Sequence, residues 1–173
     1  MTRVSDRTRL IALLGALCLF LSTVEFMIPK PLPFMRLGLA NLPVLVGLSL
    51  LTVPEILILV ALKVAGQGLV NGTLFSYIFL FSAAGSLASG LVMLLVHRAG
   101  GRYFSLVGIS ILGALSSNLV QLLLSRLMVF GDNVRLIAPP FLAVGTATAV
   151  VLGLVAERFL ASSEWIVLVR KEL

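Results

Sequence analysis

Basic and amide side chains recur inside the apolar stretches of this sequence, where they could bind an acidic molecule. Lys63 and Gln67 are four residues apart, and Asn118 and Gln121 are three apart, so each pair shares one face of a helix. Ionisable side chains within membrane helices are costly and usually face the bundle interior or a water-filled cavity. Converging cations and amides bind carboxylates or phosphates. We therefore expect a pocket for a small anionic or amphipathic molecule.

The predicted pocket draws on further polar residues, because they fall near the same end of the apolar segments. The predicted substrate-binding residues are Lys30, Arg36, Asn41, Lys63, Gln67, Asn71, Asn118, Gln121 and Arg126. The stretch FMIPKPLPFMRLGLANLP, residues 26–43, holds three prolines in five residues. We expect the proline-stiffened loop within it, residues 29–36, to form a rigid lid over the pocket. Glu25 is the one acidic residue near this set, so the pocket should be electropositive.

These residues also have simpler interpretations. Lys63 and Arg126 could extend to the headgroups, as long basic side chains near helix ends do. Asn118 and Gln121 could hydrogen-bond neighbouring helices. Glu25 could neutralise a nearby cation, and the proline-rich stretch could be a surface turn. The sequence leaves both sets of interpretations open.

The composition indicates a membrane protein. Of the 173 residues, 60% are hydrophobic and 12% are charged, whereas soluble domains are about half apolar and a quarter charged. A membrane-spanning helix needs about 20 mostly apolar residues. The predicted spans lie at about 8–28, 37–51, 53–65, 73–96, 103–130 and 134–160. The expected fold is an all-α bundle of six membrane helices over residues 1–162, with residues 163–173 as an interfacial tail.

The distribution of basic residues predicts the orientation. Most of them fall on the side that holds both chain termini, and this bias marks the cytoplasmic side. They are Arg3, Arg7, Arg9, Arg98, Arg102, Arg158, Arg170 and Lys171. We expect a multi-pass protein of a bacterial cell membrane with both termini in the cytoplasm. The remaining basic residues run against the bias, which is the main reason to predict an outer pocket.

Several kinds of site are missing from the sequence. It has no Walker A motif and no Cys/His spacing for a metal. A single histidine, His97, leaves no serine hydrolase triad. The only aspartates, Asp6 and Asp132, are far apart, so no aspartate-rich Mg²⁺-diphosphate site exists. Scattered cations do not fit a nucleic-acid surface. We expect no enzyme activity, no cofactor, no metal ion and no nucleic-acid partner.

Ala12 and Ala16 form a pair of small residues one turn apart in the first span. Small residues at this spacing let helices approach closely. The pair lies toward the predicted cytoplasmic side, which leaves room for the helix of a partner protein. The small residues between 82 and 90 are expected to pack within the bundle instead.

Three stretches of the sequence resemble one known family. They are PKPLPFMRLGLANLPVLVGL, GQGLVNGTLFSYIFLFSAAGSLASGLVMLL and FSLVGISILGALSSNLVQLLL. The family is called heptaprenyl diphosphate synthase component I, or the Gx transporter family, and the resemblance covers roughly residues 10–160. It is grouped with the substrate-binding S components of energy-coupling factor (ECF) transporters.

The resemblance implies six helices and an outer pocket formed partly by the first loop and helices 4–6. It also implies docking on a transmembrane coupling subunit through an A-x-x-x-A motif, which Ala12 and Ala16 match. Separate ATPase subunits would then supply the energy for transport.

Two functions follow as expectations. The first is a substrate-binding subunit of an ECF-type uptake transporter, embedded in the lipid bilayer. The alternative is a non-catalytic membrane partner of a prenyl diphosphate synthase in polyprenyl or quinone biosynthesis. That partner would bind the soluble synthase through its basic cytoplasmic segments, HRAGGR at 97–102 and the N-terminus.

Overall fold

The computed structural model describes residues 2–29, 35, 37–100 and 103–172, and they form almost entirely helices. The α-helices are α1 (Thr2–Met27), α2 (Leu42–Leu48), α3 (Val53–Val70), α4 (Tyr77–Gly100), α5 (Leu106–Ser125), α6 (Val134–Ser162) and α7 (Glu164–Glu172). Short 3₁₀ helices cover Leu39–Asn41 and Gly131–Asn133, and a π-helical turn covers Arg126–Phe130. No strand occurs among these residues. The all-α prediction is confirmed.

Helical stretches long and apolar enough to cross a membrane occur four times in the described part of the chain. They are Asp6–Met27, Val53–Val70, Tyr77–Gly100 and Leu106–Ser162. The last contains both α5 and α6, which pack against each other, so the chain reverses between them. The chain is therefore a multi-pass membrane protein.

The predicted second span at 37–51 is shorter in the structure. The apolar helical segment there is Leu39–Leu48, which is too short to cross a bilayer that needs about 20 residues. Gly38 precedes it with φ 81°, and a turn at Ser49 and Leu50 ends it. The count of six full spans is thus larger than the structure supports.

Contacts between helix ends show which ends lie together. The Arg7 Nη1 atom lies 3.1 Å from Glu55 Oε2, which joins the start of α1 to the start of α3. The Val107 N–H group donates to Glu157 Oε1 at 3.3 Å, which joins the start of α5 to the last turns of α6. Ile166 of α7 is buried in the same core as the first turns of α1. We call this end of the bundle the terminal end.

Local sequence explains where α3 and α5 begin. Thr52 and Glu55 form a capping box at the start of α3, and Pro54 occupies its first turn, where its missing N–H group leaves no helical bond unmade. Ser105 caps α5 by accepting a hydrogen bond from the Gly108 N–H group at 3.1 Å. Both starts are fixed by side chains that satisfy otherwise unpaired backbone donors.

The far end of the bundle, opposite the terminal end, has a less regular backbone. After the π-helical turn, Gly131 adopts φ 55° and ψ −134°, a conformation that favours glycine. The next helix, α6, contains Pro139 and Pro140. Proline has no N–H group, so the carbonyls of Arg135 and Leu136 lack their usual helical donors.

Candidate functional site

Polar side chains are buried together in the interior of the bundle, on α1, α3, α4 and α5. We call the following set the polar core: Glu25, Lys63, Gln67, Ser86, Ser117, Asn118 and Gln121. Each is at most 9% exposed. Buried polar groups need hydrogen-bond partners, so such a concentration within apolar helices requires specific contacts.

Helix α5 contributes the polar face because its small and polar residues recur at helical spacing. Its buried residues include Ser110, Gly113, Ser117, Gln121 and Ser125. Residues three or four apart lie on one face of a helix, and here that face points between α4 and α6. The helix face that Asn118 and Gln121 were predicted to share is therefore the inward face of α5.

Lys63 lies in the polar core and not at the membrane surface. Its Nζ atom donates a hydrogen bond to Oδ1 of Asn41, at the end of the 3₁₀ helix before α2. The lysine is only 3% exposed, so it does not extend to the headgroups. Two of the predicted binding residues, 22 positions apart in sequence, are thus brought into direct contact.

Glu25 holds the backbone that leads into this 3₁₀ helix. Its Oε1 atom accepts the Leu37 N–H group at 2.9 Å, and its Oε2 atom accepts the Leu39 N–H group at 2.8 Å. Charged acceptors make stronger hydrogen bonds than neutral ones. The carboxylate therefore ties the last turns of α1 to the segment that presents Asn41.

Glycines on neighbouring helices make room for the amides of α5. The Gln121 Nε2 atom donates to Ser117 Oγ at 2.8 Å, and a Cβ atom at Gly85 of α4 would lie 2.5 Å from that nitrogen. On the other side, a Cβ atom at Gly145 of α6 would overlap the Asn118 amide. Gly145 was not among the predicted site residues, although its place on a helix that faces the polar side of α5 was the available signal.

A small cavity lies beside the Lys63–Asn41 contact. Its volume is about 20 Å³, and Glu25, Ser86 and Asn118 are among its lining residues. This is room for about one water molecule. The Asn118 Nδ2 atom is buried without a hydrogen-bond partner in the described part of the chain, as are Gln121 Oε1 and Ser89 Oγ. The polar core thus holds donors and acceptors that its own residues do not fully satisfy.

Other predicted binding residues lie outside the polar core. Asn71 caps the end of α3 and does not line the cavity. Arg126 is exposed, and its Nη2 atom pairs with Asp132 Oδ1 at 2.8 Å. Ser125, the preceding residue, is fully buried, and one step along a helix turns the next side chain by about 100°. Lys30, Arg36 and most of the predicted lid lie outside the described residues.

The two small residues of α1 lie on an exposed face of the helix. Ala12 and Ala16 are both exposed. Ala16 also lines an apolar groove of about 640 Å³ between α1 and α6. We call it the α1–α6 groove. Its walls are formed by residues of α1 and α6: Leu13, Leu14, Ala16, Leu17, Phe20, Val155 and Phe159. Residues of α2 form its floor (Leu42, Pro43 and Val46), and Ser163 and Trp165 lie at its terminal end. The groove was not predicted from the sequence.

The family model for heptaprenyl diphosphate synthase component I matches residues 14–159. The chain belongs to this family. No curated protein and no solved structure matches it. The matched range includes the whole polar core and most of the α1–α6 groove, but not α7. The predicted resemblance to heptaprenyl diphosphate synthase component I is confirmed, and the relation to S components of ECF transporters stays a prediction.

Proposed function

We propose that this chain is the membrane-embedded, non-catalytic subunit of a prenyl diphosphate synthase and that it holds a soluble synthase subunit at the bilayer. The observation that supports the proposal is the family match over residues 14–159, because the family is described as a synthase component. The proposed orientation places the terminal end in the cytoplasm of a bacterial cell, where the soluble subunit would meet it.

The distribution of acidic residues supports a division of labour between two subunits. Enzymes that act on diphosphates commonly hold Mg²⁺ through carboxylates and the substrate phosphates. The chain has only two aspartates, Asp6 and Asp132. Among the described residues, no group of three or more His, Cys, Asp or Glu side chains could hold a metal ion. The catalytic metal site would then belong to the soluble subunit.

The terminal end offers a basic surface for such a partner. Arg98, near the end of α4, and Lys171, in α7, are both exposed. Exposed charges of one sign speed and orient association with a surface of opposite sign. We therefore expect the soluble subunit to present an acidic patch to this end.

Co-expression with the soluble prenyl diphosphate synthase subunits of the same organism tests the proposal. The expected result is that a synthase subunit sediments with membranes only when this chain is present, and that Arg98→Glu with Lys171→Glu releases it. The matched control is Arg135→Glu, an exposed arginine at the far end. A synthase that remains in the supernatant with the wild-type chain would overturn the proposal.

Substrate capture for an ECF-type transporter is a second candidate function. The polar core favours it, because Lys63 and the Asn118 amide place hydrogen-bond donors at one interior cavity. The cavity of about 20 Å³ would have to widen to admit a solute. Ala12 and Ala16 would then contact the coupling subunit.

Two measurements separate the candidates. Native mass spectrometry of the purified chain would show a retained small anion that Lys63→Met removes, if the chain captures a solute. Co-purification with ATPase and coupling subunits, lost in Ala16→Leu, would also support transport. Co-purification with a synthase subunit alone, and no retained anion, would support the synthase assignment.

A further inference from the structure

We propose that the α1–α6 groove binds the hydrocarbon chain of a prenyl diphosphate and that Arg9 and Arg158 bind its diphosphate at the terminal end. This inference rests on the proposed function, which supplies the ligand class. It adds a binding site within this chain, so the membrane subunit would hold the lipid as well as the partner enzyme.

The groove exists because α2 is short. Where a full span would fill the space between α1 and α6, the seven-residue α2 provides only a floor, with Leu42, Pro43 and Val46. The volume of about 640 Å³ lies within the range of pockets that hold small-molecule ligands. Its lining is almost wholly apolar, which suits a hydrocarbon chain.

Exposed basic residues lie next to the terminal end of the groove, whose own lining carries no charge. Arg9 lies one turn before Leu13 on the wall formed by α1, and its side chain is 80% exposed. Arg158 is exposed and lies three residues after Val155, so it shares a face of α6 with that wall residue. A guanidinium group can donate two parallel hydrogen bonds to the oxygens of one phosphate. An apolar chain with an anionic head would therefore match both parts of the groove.

Three acidic residues lie near these arginines along the chain: Asp6, Glu157 and Glu164. Asp6 Oδ1 is 3.7 Å from Arg9 Nη1, and Glu164 is exposed at the start of α7. The Asp6 contact is long and solvent-exposed, so it holds Arg9 only weakly. A diphosphate, with its higher charge, would compete for the guanidinium group.

Binding of tritiated heptaprenyl diphosphate to the full chain in phosphatidylcholine nanodiscs tests the inference. Ala16→Trp and Val155→Trp fill the groove from opposite walls, and each should raise the Kd at least tenfold. Leu91→Trp, on an exposed face of α4, should leave it unchanged. Arg9→Gln with Arg158→Gln should raise the Kd about tenfold, which corresponds to about 1.4 kcal/mol, whereas Arg135→Gln should not.

Competition experiments identify other occupants. If heptaprenol or phosphatidylglycerol displaces the label as well as unlabelled heptaprenyl diphosphate does, the groove takes bilayer lipid and the inference is wrong. Wild-type affinity in both groove-filling variants would also overturn it.

The same samples are assayed for the bound synthase subunit. Loss of the synthase in Ala16→Trp with unchanged lipid binding would assign the groove to a partner helix, which ends the inference but keeps the proposed function. Tight, groove-dependent lipid binding by a wild-type chain that recruits no synthase would end the proposed function alone.

Discussion

The ammonium group of Lys63 and the side-chain oxygen of Asn41 form a hydrogen bond between the middle of α3 and the 3₁₀ helix before α2. This contact places a cation inside a bundle of apolar helices. It holds the start of the short helix α2 against α3, which is long enough to span the membrane. A buried cation destabilises the folded protein unless hydrogen-bond acceptors or opposite charges surround it.

Asn41→Leu should destabilise the protein by about 1.5–3 kcal/mol, because the buried ammonium group loses a hydrogen-bond partner. Lys63→Met should cost less, since it removes the charge and keeps most of the volume. The double variant should resemble Lys63→Met alone. Denaturant unfolding in detergent micelles measures all three, and an Asn41→Leu protein as stable as the wild type would contradict the assigned contact.

Gly145→Ala should destabilise the protein by about 1–3 kcal/mol, because the new methyl group overlaps the Asn118 amide. Gly15→Ala is the matched control, since its nearest atoms would be 3.9 Å away. Adding Asn118→Ala to Gly145→Ala should recover part of the loss. Thermal unfolding in detergent gives the comparison, and equal effects of the two glycine changes would contradict the close packing of α5 and α6.

Glu25→Ala should speed hydrogen exchange at the amides of Leu37 and Leu39 by about tenfold or more, because both lose a charged acceptor worth at least about 1.4 kcal/mol. Exchange within α5 should not change. Glu164→Ala, at an exposed site in α7, is the control. If the two amides keep their wild-type exchange rates in Glu25→Ala, the carboxylate does not hold this segment.

Cysteine labelling tests which ends of the helices face the same side of the membrane. In a Cys18→Ala background, which has no other cysteine, Phe75→Cys and Tyr103→Cys place thiols at highly exposed positions on either side of α4. In intact, right-side-out vesicles, an impermeant maleimide should label only Phe75→Cys. Detergent should make both reactive, and labelling of both in intact vesicles would contradict the proposed topology.

The sequence predicted the interior residues best where helical spacing alone decides which side of a helix is buried. Lys63 and Gln67 share a buried face, and Asn118 and Gln121 lie on the inward stripe of α5. In both cases a polar residue in an apolar helix is driven away from lipid. The buried side of each helix could therefore be inferred without knowledge of the neighbouring helices.

The sequence did not predict the features that depend on how the helices pack against one another. Arg126 follows a buried serine, and the π-helical turn that begins there has no simple signal in the residues. The length of α2 also depends on how the chain turns at Gly38 and Ser49. The α1–α6 groove is a gap between helices, so no single segment encodes it.

The two prolines of α6 also indicate how deep the helix sits. The carbonyls of Arg135 and Leu136 lack helical donors, and an unpaired carbonyl in hydrocarbon costs several kcal/mol. A position of that turn among the hydrated lipid headgroups would avoid this cost, because water could donate to both carbonyls. If the hydrocarbon layer begins near Phe141, its thickness of about 30 Å takes about 20 residues and ends in the last turns of α6, where Arg158 is exposed. The short helix α7, which packs against the bundle through Ile166, would then lie at the level of the opposite headgroup layer.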